Sequence, residues 1–151
     1  MKEDYLITVI GTQETQGEKE TIETTTVGEY EQTKDKKFIR YKEYSDSEPV
    51  ISVETEIEID NSNIVKIKRK GEITSQLVLE KGKRNICDYK TSVGNIIIGI
   101  YTNFVEDRLD SDGGYIKAEY EVDFGDGFFN LNKLIINIKK NKDKVNYVKN
   151  K

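Results

Sequence analysis

Apolar and polar residues alternate one by one along much of this chain, most clearly between positions 53 and 70. From Val53 to Ile59 every second residue is apolar or Thr, and the residues between them are Glu. After a turn of Asn and Ser at 61–63, Val65 and Ile67 alternate with lysines. A period of two residues is typical of strands that bury one face. The segment therefore predicts a β-hairpin.

If the hairpin folds about Ser62, one register pairs acidic with basic residues on one face and apolar residues with each other on the other face. The register places Glu58 opposite Lys66, Glu56 opposite Lys68, Glu54 opposite Lys70, Ile57 opposite Ile67, and Ile59 opposite Val65. Each opposite-charge pair contributes only roughly 0.2–1 kcal/mol, but a one-residue slip would turn the whole apolar set to water. The same register places Arg69 on the apolar face opposite Thr55, where a cation is costly unless it is paired.

Similar patterns recur along the rest of the chain and predict about ten strands. These strands are Tyr5–Ile10, Glu18–Tyr30, Phe38–Tyr44, Val50–Asp60, Val65–Lys70, Ile73–Leu79, Arg84–Thr91, Ile96–Val105, Ile116–Phe124 and Leu131–Ile138. Ser45–Pro49 is predicted to be a loop. The last element has a second interpretation, since the spacing of its apolar residues from Phe128 to Ile138 also suits a helix.

Short strands joined by hairpin turns predict an antiparallel meander. An open sheet of ten strands would leave two exposed edges, so closure is favoured. We therefore predict an all-β fold, a single closed or nearly closed antiparallel meander β-barrel of about 8–10 strands. It would span residues 1–140 and be followed by a polar tail at 141–151. A barrel also suits a chain that is 35% hydrophobic and 34% charged, because only alternate residues need to be apolar.

The composition excludes several kinds of chemistry. The chain has no His and a single Cys, Cys87, which removes His-based catalysis, an intrachain disulfide and Cys-rich metal sites. It contains no glycine-rich phosphate loop, and Asp110–Gly113 has the composition of a turn rather than a calcium loop. We expect no catalytic residues, no metal, no cofactor and no enzymatic activity. The single cysteine and the absence of a long apolar run indicate a soluble cytoplasmic protein without a membrane span.

Two groups of residues predict where a ligand would bind. Pockets combine apolar walls with a few polar groups, and the polar residues set among apolar neighbours are Arg69, Glu72, Ser75, Gln76, Tyr101 and Thr102. The second group is basic, comprises Lys81, Lys83 and Arg84, and flanks a turn that we place at a barrel mouth. A structural interpretation competes with the first group: Arg69 can plug one barrel end by binding carbonyls at strand ends, and Gln76 shares the parity of a solvent-facing residue.

The favoured function is non-catalytic binding of a small amphipathic or anionic ligand near Arg69 and the basic turn. The alternative is a protein or RNA interaction module. It would use the basic turn with nearby tyrosines, or the outer face of Ile96–Val105, which is apolar on both sides and would also permit a homodimer. A net charge of −4 argues weakly against a general nucleic-acid binder.

Short motifs in a specific order resemble those of a known family. They are Leu6–Gln13, Arg69-Lys70-Gly71-Glu72, Ser75-Gln76-Leu77, Glu80–Arg84, Gly99-Ile100-Tyr101-Thr102, and Gly113-Gly114 followed by the strand of Tyr120. Up to Lys139 the chain resembles the YwiB-like family of bacterial proteins. The resemblance implies a calycin-like, lipocalin-like β-barrel of uncharacterised function. The chain departs from the family at 91–94, where Thr-Ser-Val-Gly replaces Thr-Pro-Tyr-Gly, and it has no Trp for a lipocalin Gly-x-Trp signature.

Overall fold

The computed structural model describes residues 5–44, 52–72, 74–125 and 127–142. These residues contain no helix and form ten strands: β1 Tyr5–Thr15, β2 Glu18–Gln32, β3 Lys36–Tyr44, β4 Ser52–Asp60, β5 Val65–Lys70, β6 Ser75–Leu79, β7 Arg84–Thr91, β8 Gly94–Asp110, β9 Gly113–Asp123 and β10 Phe129–Lys140. The all-β prediction is confirmed, and the helical interpretation of the last element is wrong. The loop predicted at Ser45–Pro49 and most of the predicted tail lie outside the described residues.

The strands form one antiparallel sheet in which sequence neighbours pair, apart from β6 and β7, and β1 also pairs with β10. In the sheet order β6-β5-β4-β3-β2-β1-β10-β9-β8-β7, the two edge strands β6 and β7 meet at an isolated bridge between Thr74 and Lys90. The result is the nearly closed barrel that the sequence predicted. Its interior is filled by one apolar face of the strands, including the fully buried Ile7, Ile39, Ile57 and Ile100.

The predicted register of the charged hairpin is confirmed pair by pair, and Arg69 lies opposite Thr55. The predicted ion pairs across that hairpin are wrong. Glu56 Oε2 accepts a hydrogen bond from Arg40 Nε at 2.8 Å, and Glu58 Oε2 lies 3.1 Å from Lys36 Nζ. Both cations belong to β3. Strand β4 lies between β3 and β5, so its carboxylates can bind cations of either strand, and these two bind those of β3.

Closure between β6 and β7 uses few ladder hydrogen bonds. Thr74 and Lys90 exchange backbone hydrogen bonds of 3.0 and 2.9 Å. Further along this seam, Asn85 Nδ2 donates to the Val78 carbonyl at 3.3 Å. A backbone hydrogen bond from Gln76 to the Cys87 sulfur partly offsets the rise that burial causes in the pKa of that thiol. Side chains thus replace part of the missing ladder.

One end of the barrel is plugged by polar contacts. Lys37 Nζ lies 2.9 Å from Asp107 Oδ2 and donates to the Leu109 carbonyl at 2.8 Å. Tyr30 Oη donates to the Asp110 carbonyl at 2.8 Å. We call this the plugged end. The strand-end carbonyl contact that was one interpretation of Arg69 is therefore made by Lys37.

Candidate functional site

Arg69 lies on the inner face of β5, toward the end of the barrel opposite the plug. Its Nη2 atom donates to Glu43 Oε1 at 3.1 Å, and the two side chains are 34% and 31% exposed. Thr55, directly opposite Arg69, donates from Oγ1 to the same carboxylate at 3.2 Å. The prediction that an inward Arg needs a partner is confirmed, although Glu43 was not among the predicted site residues.

Three tyrosines lie near Arg69 on the inner face. Burial raises the pKa of Tyr120 to about 12 and raises the pKa values of Tyr41 and Tyr89, while the charge of Arg69 lowers all three in part. Their hydroxyls are therefore neutral at pH 7 and can both donate and accept hydrogen bonds. We call Tyr41, Glu43, Arg69, Tyr89 and Tyr120 the inner polar cluster.

The remaining predicted pocket residues are scattered. Ser75 lies on the inner face opposite Arg69, is 5% exposed, and its hydroxyl partly lowers the pKa of Tyr89. Thr102 is fully buried in β8, and its backbone bonds the turn between β6 and β7. Gln76, Tyr101 and Glu72 are exposed. Of the predicted pocket residues, Ser75 lies beside Arg69 on the inner face, and Gln76 lines a larger concave region of about 800 Å³ together with both of them.

The predicted basic turn does not join Arg69. Strand β6 begins opposite Arg69 and ends at Leu79, which pairs with Val65, four residues from Arg69 along β5. Lys81 and Lys83 follow Leu79 in an exposed turn. Arg84 binds Asp123 Oδ2 on the outer surface at 3.1 Å. The two predicted groups therefore do not form one binding site.

A cavity of about 180 Å³ opens beside the inner polar cluster. Its walls combine apolar side chains with amides and tyrosines: Leu77, Ile96, Ile98, Val122, Phe124, Gln13, Tyr89, Tyr120, Asn130 and Asn132. We call it the mouth cavity. Asn130 is only 6% exposed, and its Oδ1 accepts a hydrogen bond from Asn132 Nδ2 at 2.6 Å.

Sequence reasoning missed the mouth cavity because its residues come from six strands, β1 and β6 to β10, and no single hairpin brings them together. One local signal was present. The alternation of the predicted ninth strand places Tyr120, Val122 and Phe124 on one face, and these three residues all line the cavity.

Comparison with known proteins places the chain in a family. The family described as "Domain of unknown function (DUF1934)" matches residues 7–136. The chain belongs to the DUF1934 family. The crystal structure of the ywiB protein from Bacillus subtilis is similar to this DUF1934 chain, with a TM-score of 0.79, 23% sequence identity and 92% of each chain covered. The YwiB-like resemblance and the barrel fold are thereby confirmed. No curated protein matches the chain.

Two further findings concern the described part of this DUF1934 barrel. Among its described residues, no three Cys, Asp or Glu side chains are grouped so that they could hold a metal ion. Within the same residues, no helix is long and apolar enough to cross a membrane. What the mouth presents is a short apolar cavity bordered by neutral hydrogen-bonding groups, with one compensated Arg–Glu pair beside it.

Proposed function

We propose that this DUF1934 barrel is a non-catalytic binding protein that holds a small amphipathic molecule at its open mouth. The observation that carries the proposal is the mouth cavity, where apolar walls converge with a few polar side chains. This combination is typical of small-molecule sites. The open end of the barrel offers an approach from solvent, whereas the other end is plugged by Lys37 and Asp107.

The volume of the cavity limits the size of the ligand. Pockets for drug-sized molecules measure roughly 300–1,000 Å³, while the mouth cavity measures about 180 Å³. An apolar protein cavity of about 150 Å³ is sufficient for benzene. The apolar part of the ligand should therefore be about the size of a single ring or a short branched chain.

The electrostatics of the mouth favour a neutral or zwitterionic head group over a bare anion. Glu43 already compensates the charge of Arg69 at 3.1 Å. The hydroxyl of Tyr120, with a pKa of about 12, and the amides of Asn130 and Asn132 are uncharged. Tyrosines whose pKa values lie this far above neutral pH are also poorly matched to general acid–base catalysis, which supports a binding role.

Binding of phenol, a single-ring amphipathic probe, tests the proposal by NMR titration. Ile96 lines the mouth cavity, and its neighbour Ile97 points outward with 66% exposure. Ile96→Trp should fill the cavity and weaken phenol binding at least about tenfold, because a bulkier side chain then occupies the ligand's space. Ile97→Trp is the matched control and should change binding less than about twofold. Equal effects of the two variants, or no phenol-induced shifts around Tyr120, would contradict the proposal.

Native mass spectrometry of gently purified protein provides an independent test with the natural ligand. An added mass that leaves on denaturation would support a ligand carried in the barrel. The same spectrum bears on the outer-face alternative. Ile86 and Ile97 lie on the outer face of β7 and β8 and are 67% and 66% exposed, so a dimer without added mass would favour a protein-interaction role for that face.

A further inference from the structure

A second concave region crosses the outer face of the barrel. It measures about 800 Å³ and runs across the six strands β2 to β7, perpendicular to their direction. Four of these strands contribute two outward side chains each, for example Lys68 and Lys70 from β5, and β3 contributes three. Its floor includes inward-facing residues of the row between them, such as Gly28 and Thr55. We call it the transverse groove, and its volume lies within the range of ligand-binding pockets.

The β2–β4 part of the groove carries more carboxylates than cations, since Glu29, Glu54 and Glu56 line it together with Arg40 and Lys42. Arg40 Nε lies 2.8 Å from Glu56 Oε2, and Arg40 Nη1 lies 3.2 Å from Glu31 and 3.7 Å from Glu29. One guanidinium thus faces three carboxylates. This part of the groove offers little attraction to an anion.

The β5–β7 part is different because its lysines are not compensated. Lys68, Lys70 and Lys90 line the groove and are exposed, and within the part of the chain that the structure describes no carboxylate lies within 4.0 Å of their ammonium groups. Arg40 takes Glu56, which lies opposite Lys68. The β5–β7 part of the groove thus contains three available cations, two on β5 and one on β7.

Neutral hydrogen-bonding groups lie between these cations. Thr74 stands between Lys70 and Lys90 and pairs with Lys90 across the seam. Gln76 is directly opposite Lys68 on β6. An anionic ligand in this region would therefore have ammonium groups on both sides, with the amide of Gln76 and the hydroxyl of Thr74 between them.

We propose that the β5–β7 part of the transverse groove binds a compact small molecule carrying at least two phosphoryl groups. Lys68, Lys70 and Lys90 together with the carboxylate of Asp88 give this part a net charge of +2. A single phosphoryl group carries about −1.5 to −2 at pH 7 and could balance that charge, but it cannot contact lysines on strands about 10 Å apart. Two phosphoryl groups are therefore needed to contact all three lysines, whereas a monocarboxylate is too weakly charged. Lysine is a common phosphate ligand and acts as a point charge.

The extent of the positive region limits the length of this ligand. Lys68 and Lys70 are two residues apart on one strand, about 7 Å, and β5 and β7 are two strand spacings apart, about 10 Å. Carboxylates border the lysines, Glu54 beside Lys70 and Asp88 beside Lys90. A compact polyphosphate fits between these carboxylates, while a long nucleic-acid strand would have to cross them.

Isothermal titration calorimetry with pyrophosphate tests this site. Wild-type protein should bind pyrophosphate at least about tenfold more tightly than orthophosphate, because the second phosphoryl group reaches further lysines. The double variant Lys68→Gln/Lys70→Gln should lose at least about tenfold in affinity, in line with the loss of charged hydrogen bonds. Lys66→Gln is the matched control, since Lys66 lies on the same strand but does not line the groove, and it should stay within about twofold of wild type.

Three results would overturn the proposal. They are an absence of pyrophosphate binding at millimolar concentration, an equal loss in Lys66→Gln, and a salt-dependent preference for single-stranded RNA. For RNA, log K falls with log salt by roughly 0.7 per phosphate contacted, so a slope steeper than about −2 would indicate more than three phosphates and a longer ligand. An unchanged melting temperature for each variant shows that the fold is intact.

Discussion

The two ends of the barrel carry the same kind of inward ion pair in different surroundings. At the plugged end, Lys37 and Asp107 are 2.9 Å apart with side chains 21% and 10% exposed. At the mouth, Arg69 and Glu43 are 3.1 Å apart, and each is about one-third exposed, at 34% and 31%. The plug also engages strand-end carbonyls through Lys37 and Tyr30.

This difference in exposure determines how much stability is lost when one partner of an inward ion pair is removed. A buried pair gains little net stability over an apolar pair, but losing one partner leaves an uncompensated charge and is strongly destabilising. A pair that water reaches is screened, and each partner is less costly to remove. The ion pair at the plugged end is thus needed for stability, whereas the polar groups at the mouth remain accessible to a ligand.

Breaking the plug should have the largest effect. Asp107→Asn keeps the side chain's shape but leaves the Lys37 ammonium without its counter-ion, so we expect about 3–5 kcal/mol less stability to unfolding. Urea denaturation measures the loss. Asp112→Asn is the control because Asp112 is 81% exposed in its pair with Lys140. A loss below about 1 kcal/mol for Asp107→Asn would show that the two ends do not differ as described.

Breaking the pair at the mouth should have a smaller effect. Arg69→Ala removes a partly solvated cation from Glu43 and should cost about 1 kcal/mol, the upper part of the range for solvent-accessible pairs. The same denaturation experiment measures it. Lys68→Ala, the next residue on the outward face, should leave the unfolding midpoint unchanged. A cost for Arg69→Ala as large as that of Asp107→Asn would remove the contrast.

Burial of Tyr120 should make stability depend on pH only in alkaline solution. Burial raises the pKa of Tyr120 to about 12 in the folded protein, against about 10 in an unfolded chain. Between these values the unfolded state has lost a proton that the folded state keeps, so stability falls as pH rises above about 10. Below pH 10 this contribution to stability is fully present.

Denaturation at a series of pH values measures this slope. Tyr120→Phe cannot ionise and should show a shallower decline above pH 10 than the wild type. Tyr101→Phe serves as the control, since Tyr101 is 41% exposed on the outer face, and it should follow the wild-type curve. Identical slopes for wild type and Tyr120→Phe would mean that Tyr120 is not protected by burial.

Features that depend on one hairpin were predictable from the sequence. The register of β4 against β5, and with it the inward position of Arg69, followed from alternation on two adjacent strands whose turn was recognisable. Lys37 could have been found by the same argument, because it shares the parity of the buried Ile39 and Tyr41. Its partner Asp107 could not, since 70 residues separate them in sequence.

Features that depend on distant strands or on curvature were not predictable. The hairpin pattern assigned Glu56 to Lys68, but Arg40 on the third strand binds it in the structure. That exchange of partners leaves the lysines of the transverse groove available. The groove itself depends on the bending of the sheet, for which residue alternation contains no information. The basic turn was misplaced relative to Arg69, although the predicted antiparallel meander already makes β6 begin beside Arg69 and run away from it.

The arrangement of the strands has a consequence for the connectivity of the chain. Tyr5 at the start of β1 lies opposite Lys140 at the end of β10, and the two strands pair along ten positions, whereas β6 and β7 are joined mainly by a turn and by side chains. The covalent order is thus interrupted between two strands that share a long ladder. A short linker from Lys140 to Tyr5, with new termini in the turn at 81–83, would give a circular permutant that keeps every ladder pair of the sheet.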